Sequence, residues 1–193
     1  MRPRKLLFFD LETTGFYWWR HSIHQIGIMV EIDGVVVEKI DIKLRPFPGA
    51  PIEQEALDAC GVTLEQIMGY QSQEAGFKQF REVLRKYVDR YDKTDKFYLV
   101  GYNNGKFDNE FLVRLFERNK DTMFYSYFWG NYLDVVVLAS QLLIDERVDM
   151  PSFKLHRVAR TLGIEVDEEK LHDALYDVEL TRELYNRITD GCF

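Results

Sequence analysis

The 193-residue sequence is acidic, with a formal net charge of −7, and it contains 46% hydrophobic and 15% aromatic residues. This composition can fill a sizeable core, which excludes wholesale disorder, and the length fits one domain over residues 1–193. The negative charge argues against a protein that clamps nucleic acid by bulk electrostatics. It does not exclude one that holds a short nucleic-acid end, because bound cations would reverse the local field.

Targeting signals and cysteine patterns are both missing from the sequence. The basic N-terminus leads into an apolar run that stops at acids, so we predict neither a signal peptide nor a membrane span. Cys60 and Cys192 lie far apart and form no metal-binding or disulfide pattern, which suits a reducing compartment. We therefore expect a cytoplasmic protein without a membrane partner.

The first predicted strand carries two acids at its end, within the segment Leu6 to Gly15. The short apolar run is typical of a buried strand, in which alternate residues share one face, so Asp10 and Glu12 should project together. Two neighbouring carboxylates repel each other by about 4 kcal/mol at roughly 4 Å and an effective dielectric near 20. A shared proton or a divalent cation would relieve this repulsion. A strand ending in solvated acids is the alternative.

The next segments predict a meander followed by helices. Residues 23–34 and 35–46 are expected to form two strands joined by a hairpin turn at Asp33 and Gly34. The segment from Ile52 to Met68 indicates two short helical pieces. Apolar residues at helical spacing predict an amphipathic helix over residues 73–91.

The second half of the chain alternates strands and helices. Residues 97–101 favour a buried strand, and residues 132–144 favour a strand that becomes a helix near Val137. Helices are expected over residues 108–119, 152–162 and 175–188, whereas residues 123–129 are ambiguous. Strands first and helices interleaved later predict an α/β domain with a mixed central sheet.

Three further polar residues stand beside apolar segments in the second half. Asp108 enters the first turn of a predicted helix, where the dipole alone would favour an acid. His172 and Asp177 are five residues apart, a poor spacing for one helical face, so His172 is placed in the loop ahead of the last helix. Taken singly, His172 could be a loop residue without a role and Asp177 a solvated helix residue.

The order of these residues resembles a known family. Asp-x-Glu, then Asn-x-x-x-Asp with Phe before the Asp, then His-x-x-x-x-Asp are similar to the three motifs of the DnaQ-like DEDDh 3′–5′ exonucleases. The resemblance extends from Asp10 to Asp177. Two positions depart from the usual pattern: Asn103 stands where members often have His, and Gln25 where many have Glu.

The resemblance implies a fold and a chemistry. It implies an RNase H-like fold, with a mixed five-stranded central sheet flanked by helices, and hydrolysis of the terminal phosphodiester with release of nucleoside monophosphates. Carried over, two divalent cations, Mg²⁺ or Mn²⁺, would be held by four acids: Asp10, Glu12, Asp108 and Asp177. His172 would be the general base, because imidazole is available in its neutral form at neutral pH.

Several residues are expected near the substrate. By analogy, Thr13, Thr14, Asn104 and Phe107 lie at the pocket for the terminal nucleotide, although Phe107 could be pure core. An aromatic segment runs from Phe16 to Trp19 and ends in Trp18 and Trp19. Its rings either stack on unpaired bases or form a packed cap over the sheet.

Three cations of the predicted helix near residue 155 either meet backbone phosphates or form a solvated face: Lys154, Arg157 and Arg160. Asp134 is interpreted as a hydrogen-bonding acid rather than a fifth metal ligand.

The partner is expected to be a nucleic-acid 3′ end, with single-stranded DNA favoured over RNA. Trimming of RNA 3′ ends is the alternative within the same fold, since the catalytic set does not choose the sugar. From a different class, the chain could be a proofreading or binding subunit that docks to a polymerase, and a homodimer partner is also considered. Nuclease assays on labelled single strands separate these alternatives.

Overall fold

The central sheet has five strands in the order β3-β2-β1-β4-β5. The computed structural model describes residues 2–191, so the expectation for Cys192 lies outside the described residues. The strands are β1 (Lys5–Thr13), β2 (Ile23–Ile32), β3 (Val35–Lys43), β4 (Tyr98–Gly101) and β5 (Leu133–Asp134). β1, β2 and β3 pair antiparallel, whereas β4 pairs parallel with both β1 and β5. The predicted mixed sheet and its N-terminal meander are confirmed.

Helices cover both faces of this sheet. They are α1 (Gln54–Cys60), α2 (Leu64–Met68), α3 (Gln73–Tyr87), α4 (Asp108–Arg118), α5 (Phe124–Tyr127), α6 (Val135–Leu142), α7 (Leu155–Thr161) and α8 (Ala174–Asp190). Short 3₁₀ turns lie at Asn104–Lys106, Glu146–Asp149 and Glu168–Lys170. The two short helical pieces expected before residue 70 are α1 and α2.

Alternation along β1 divides the core into two layers. Leu7, Phe9 and Leu11 face the apolar cluster built with α3, α4 and α5. Leu6 and Phe8 face the second cluster, which is built with α6, α7 and α8. Within residues 2–191, no helix has the length and apolar character needed to cross a membrane.

Three of the predicted boundaries that shift lie beside contacts that the structure shows. α3 ends at Tyr87 rather than Tyr91, since the ammonium of Lys5 binds the Tyr87 carbonyl and Val88 is extended. The switch from strand to helix falls at Asp134, whose carboxylate caps α6 through the amide of Val136, 3.2 Å away.

The third shift is at α7, which begins at Leu155 instead of Ser152. Lys154 has extended angles (φ −74°, ψ 151°), and the Phe153 carbonyl accepts a hydrogen bond from the Tyr102 hydroxyl at 2.7 Å. This segment is therefore held against the end of β4 before the helix starts.

Candidate active site

The two acids of β1 continue the row of side chains that faces α8. Because residues two apart share a face, Asp10 and Glu12 follow Leu6 and Phe8, which are buried on that side. Asp10 lies opposite Gly27 on β2. The side chains of Asp10 and Glu12 are both half-buried. The expected common projection of the pair is therefore built into the strand.

Helix α8 reaches these acids because β2 offers it a glycine. A Cβ on Gly27 would lie 2.5 Å from the carbonyl carbon and oxygen of Ala174, so only glycine admits the helix at this distance. Asp173 caps α8 by accepting the Tyr176 amide, and the Gln25 side chain donates to the same carboxylate at 3.3 Å. Gln25, which departs from the family pattern, thus links β2 to the start of α8 through this hydrogen bond.

His172 lies just ahead of α8, as the spacing predicts. Its backbone is left-handed (φ +66°), an uncommon conformation for a residue with a side chain, and its amide donates to the carboxylate of Asp177. Glu12, His172 and Asp177 each present a ligand atom, and these three atoms lie within 4.8 Å of one another. A loop residue and a helix residue therefore converge on the acid strand.

Asp108 approaches from α4, on the other side of β1. The pairing of β1 with β4 stops at Phe8 and Val100, and beyond it the Leu11 amide donates to the Asp108 carboxylate. The carboxylate also accepts its own backbone amide. Asp108 is only 5% exposed, so these two hydrogen bonds satisfy a carboxyl group that is largely shielded from water.

Burial and the repulsion of nearby carboxylates raise the pKa of all four acids. Burial raises the pKa of Asp10 well above its usual value, and the charges of Asp108, Glu12 and Asp177 add to this. Burial likewise raises the pKa of Glu12 to about 7, of Asp108 to about 8 and of Asp177 to about 6. Carboxylates gathered in this way are unstable as anions unless a positive charge joins them.

The donor set fits divalent cations. The Oδ1 atom of Asp177 is buried and lacks a hydrogen-bond partner among the described residues, although buried carboxylate oxygens are normally satisfied. Asp10, Glu12, Asp108 and Asp177 offer the hard oxygen atoms that Mg²⁺ and Mn²⁺ prefer. A cation at this position would coordinate the Asp177 oxygen and offset the repulsion between the carboxylates.

One residue near the acids was missed by the sequence analysis. The Cys60 thiol, at the end of α1, donates a hydrogen bond to Oε2 of Glu12 at 2.9 Å. This bond lowers the pKa of Glu12 against the larger effect of burial. The two residues are 48 apart in sequence, and no spacing pattern connects them.

The four residues expected at the terminal-nucleotide pocket are largely occupied by internal contacts. Thr14 is fully buried; its hydroxyl donates to the Pro51 carbonyl at 2.8 Å and accepts the Ser22 amide at 3.0 Å. The Thr13 hydroxyl donates to the Gly15 carbonyl at 2.9 Å. Asn104 is buried next to Asn109, and its Oδ1 has no partner within residues 2–191. The Phe107 ring is half-buried, 4.9 Å from that of Phe111.

The aromatic loop divides into an outer and an inner part. Phe16 is 71% and Trp19 is 54% exposed, which leaves both rings accessible to a ligand. Trp18 instead packs against the core cluster beside α4. Packing therefore holds for Trp18, whereas stacking on unpaired bases stays a prediction for the exposed rings.

Asp134 acts as a structural acceptor. Its carboxylate accepts the amides of Asn103 at 2.8 Å, of Gly105 at 3.2 Å and of Val136 at 3.2 Å. These bonds hold the left-handed Asn103 and the turn that leads to Asp108. The arrangement agrees with the interpretation of Asp134 as a hydrogen-bonding acid.

A family model described as exonuclease, of the RNase T type, matches residues 7–185. The chain belongs to this exonuclease family. The match confirms the resemblance to DEDD-type 3′–5′ exonucleases, whose members normally use divalent metal ions.

Curated relatives agree with the family assignment. Ribonuclease T of Shewanella denitrificans is 28% identical over 189 residues, covering 94% of this chain and 78% of the relative. Ribonuclease T of Shewanella frigidimarina is 29% identical over 185 residues, covering 91% and 78%.

Solved structures confirm the fold. The zinc-bound complex of E. coli exonuclease I with single-stranded DNA superposes with a TM-score of 0.76 and 22% identity over 98% of this chain. Exonuclease I of Methylocaldum szegediense gives a TM-score of 0.77 and 20% identity, also over 98%. The chain spans 43% and 41% of the length of these two proteins, respectively.

Proposed function

We propose that this exonuclease hydrolyses the 3′-terminal phosphodiester of single-stranded nucleic acid and releases nucleoside 5′-monophosphates. The observation that carries the proposal is the convergence of Glu12, His172 and Asp177 within 4.8 Å, on the acid strand that also bears Asp10. Hydrolysis of a phosphodiester needs a proton acceptor for the attacking water and compensation of negative charge, and this set contains residues for both.

The roles follow from the chemistry of each side chain. Asp10, Glu12, Asp108 and Asp177 would hold two divalent cations, Mg²⁺ or Mn²⁺, which when bound stabilise the attacking and leaving oxygens of an in-line displacement. His172 would accept the proton of the attacking water, and its position ahead of α8 allows its ring to reach the site from the loop. The hydrogen bond from Cys60 would orient Glu12.

DNA and RNA are both supported as substrates. The solved neighbour named above holds single-stranded DNA, whereas the curated relatives are named Ribonuclease T. We propose single-stranded DNA as the first candidate and RNA 3′-end trimming as the second. The polymerase or homodimer partner considered from the sequence gains no support from these matches.

The test is a digestion series on DNA and RNA single strands of one sequence, labelled at the 5′ end, with Mg²⁺, Mn²⁺ or EDTA. We expect a ladder that shortens from the 3′ end, release of 5′-monophosphates and loss of activity in EDTA. Asp10→Ala should abolish cleavage, whereas Asp145→Ala, at an exposed acid whose side chain caps no helix, should not. Internal cuts, or full activity in EDTA, would contradict the proposal.

A further inference from the structure

Helix α4 carries two arginines one turn apart, and acids do not fully compensate their charge. Arg118 makes no ion pair or hydrogen bond within residues 2–191, whereas Arg160, a candidate from the sequence, is paired with Glu168. Arg114 pairs with Glu117 at 2.8 Å, but its Nε atom is buried without a hydrogen-bond partner in the described chain. Residues four apart on a helix are neighbours, so the two positive charges repel each other.

The Arg118 guanidinium is held in one position by an aromatic ring. Its Cζ atom lies 3.3 Å from the centre of the Phe47 ring, a cation–π contact. Burial, and then the charge of Arg114, lower the pKa of Arg118. The fork of N–H groups on a guanidinium matches the oxygens of a phosphate. An anion bound there would offset the repulsion between the two arginines.

The arginine pair lies towards the acid end of β1 but outside the group of carboxylates. The pair lines a small pocket together with Trp18 and Ile23, and Ile23 is opposite Thr13, the last residue of β1. Arg118 ends the helix that Asp108 begins, so a rise of about 1.5 Å per residue places it about 15 Å from Asp108 along the axis. None of the roles proposed above involves these arginines.

We propose that Arg114 and Arg118 bind a backbone phosphate of the substrate strand, upstream of the nucleotides that occupy the carboxylate site. The inference rests on the proposed function, since it takes the 3′ end of the strand to lie at the acids. In a protein of net charge −7, an uncompensated arginine pair gives the strand a local positive field as it leaves the site. A contact to phosphate does not depend on the base, so it serves strands of any sequence.

The experiment compares Arg118→Gln, Arg114→Gln and Arg118→Lys with the control Arg90→Gln. Arg90 is matched to Arg118, because it also lies over a ring, that of Tyr91 at 4.9 Å, and has no carboxylate partner in the described chain. It follows the end of α3, which Lys5 contacts at the start of β1, so it lies away from the acids. Control and test variants lose the same charge.

Loss of the phosphate contact should affect long substrates only. For a long single-stranded oligonucleotide, we expect Arg118→Gln to raise KM about tenfold with kcat within twofold, as for one charge-assisted hydrogen bond. For thymidine 5′-monophosphate p-nitrophenyl ester, which has a single phosphodiester, both constants should equal those of Arg90→Gln. Arg118→Lys keeps the charge and should recover part of the affinity. An equal rise in KM for both substrates would assign Arg118 to packing on Phe47 and overturn the inference.

Arg114→Gln leaves the contact between Arg118 and Phe47 in place, so it keeps the test valid if Arg118→Gln lowers the Tm. We expect the same dependence on substrate length, with a smaller rise in KM.

Binding without turnover separates this inference from the proposed function. Fluorescence anisotropy of a labelled oligonucleotide in Ca²⁺ should show a slope of log Kd against log salt that is smaller by about 0.7 in Arg118→Gln than in Arg90→Gln. Active enzyme with equal slopes and equal KM values in the test and control variants would overturn the inference alone. Arginine-dependent binding without any hydrolysis would overturn the proposed function and leave the phosphate contact standing.

Discussion

The Cys60 thiol donates a hydrogen bond to Oε2 of Glu12 across 2.9 Å, which links the end of α1 to the acid strand. The thiol is half-buried, and burial and the neighbouring carboxylates raise its pKa, so it remains a neutral donor. It thereby orients the Glu12 carboxylate through one of its two oxygens.

Replacement of Cys60 tests this link. Cys60→Ala removes the donor, and we expect roughly tenfold weaker activity together with a higher Mg²⁺ or Mn²⁺ concentration at half-maximal rate. Cys60→Ser retains a donor and should stay close to wild type. The measurement is a metal titration of the digestion rate. Equal titration curves for the alanine and serine variants would show that the hydrogen bond does not position Glu12.

Gly27→Ala should separate α8 from the sheet. The added methyl group would lie 2.5 Å from the backbone of Ala174, so the helix must move and take Asp177 with it. We expect a loss of about 1–3 kcal/mol in the free energy of unfolding and a larger loss of activity. Urea denaturation and the digestion assay measure the two effects. Gly130→Ala is the control, because its Cβ would meet nothing within 4 Å.

The stability of the metal-free protein should fall as pH rises. Folding raises the pKa of Glu12 to about 7 and of Asp108 to about 8, so the folded state binds more protons than the unfolded chain between about pH 4 and 8. The stabilisation is complete below pH 4 and is lost as pH rises through these values. Thermal unfolding in EDTA from pH 5 to 8.5 measures this effect.

Divalent cations should oppose the loss of stability that the metal-free protein shows as pH rises. Since they bind the ionised acids of the folded state, Mg²⁺ or Mn²⁺ should raise the Tm more at pH 8 than at pH 5.5. The double variant Glu12→Gln, Asp108→Asn should lose most of this pH dependence and of the response to metal. A Tm that responds to metal equally at both pH values would contradict the assignment of these acids.

The two tryptophans of the aromatic loop should differ in their effects. Trp19→Ala removes an exposed ring and should weaken single-strand binding by about 1–3 kcal/mol without affecting the fold. Trp18→Ala removes a ring packed on the core and should lower the Tm instead. Anisotropy and thermal unfolding on both variants distinguish stacking from packing. A Trp19→Ala variant with unchanged affinity would exclude stacking of a base on Trp19.

Asp134→Ala should destabilise the protein without altering its need for metal. The change leaves three amides without their acceptor, at a typical cost of about 1–3 kcal/mol, mostly in the turn before Asp108. Asp134→Asn keeps a carbonyl oxygen and should recover part of the stability. An increase in the metal concentration required for activity, without loss of stability, would instead make Asp134 a ligand.

Local periodicity in the sequence was sufficient to predict some features of the site. The two-residue repeat of β1 places Asp10 and Glu12 on one face, and the poor helical spacing of His172 and Asp177 places the histidine in the loop. These predictions depend only on residues close in sequence. The motif resemblance supplied the grouping of Asp108 with the other acids, which spacing alone did not determine.

The remaining features depend on contacts between distant segments. The approach of α8 depends on Gly27, whose missing side chain has no consequence in β2 itself. The bond from Cys60 to Glu12 spans 48 residues, and the early end of α3 depends on Lys5. Such contacts have no periodic signature, so they become visible only in the folded structure.

The docking of α8 onto β2 also bears on when, during synthesis, the proposed site can be complete. Synthesis proceeds from the N-terminus, so β1 and α4 emerge before residues 172–177 are made. Under the proposed function, a nascent chain without α8 lacks both its proton acceptor and its fourth carboxylate. Such a chain would therefore not cleave a 3′ end until α8 has been made and has docked onto β2.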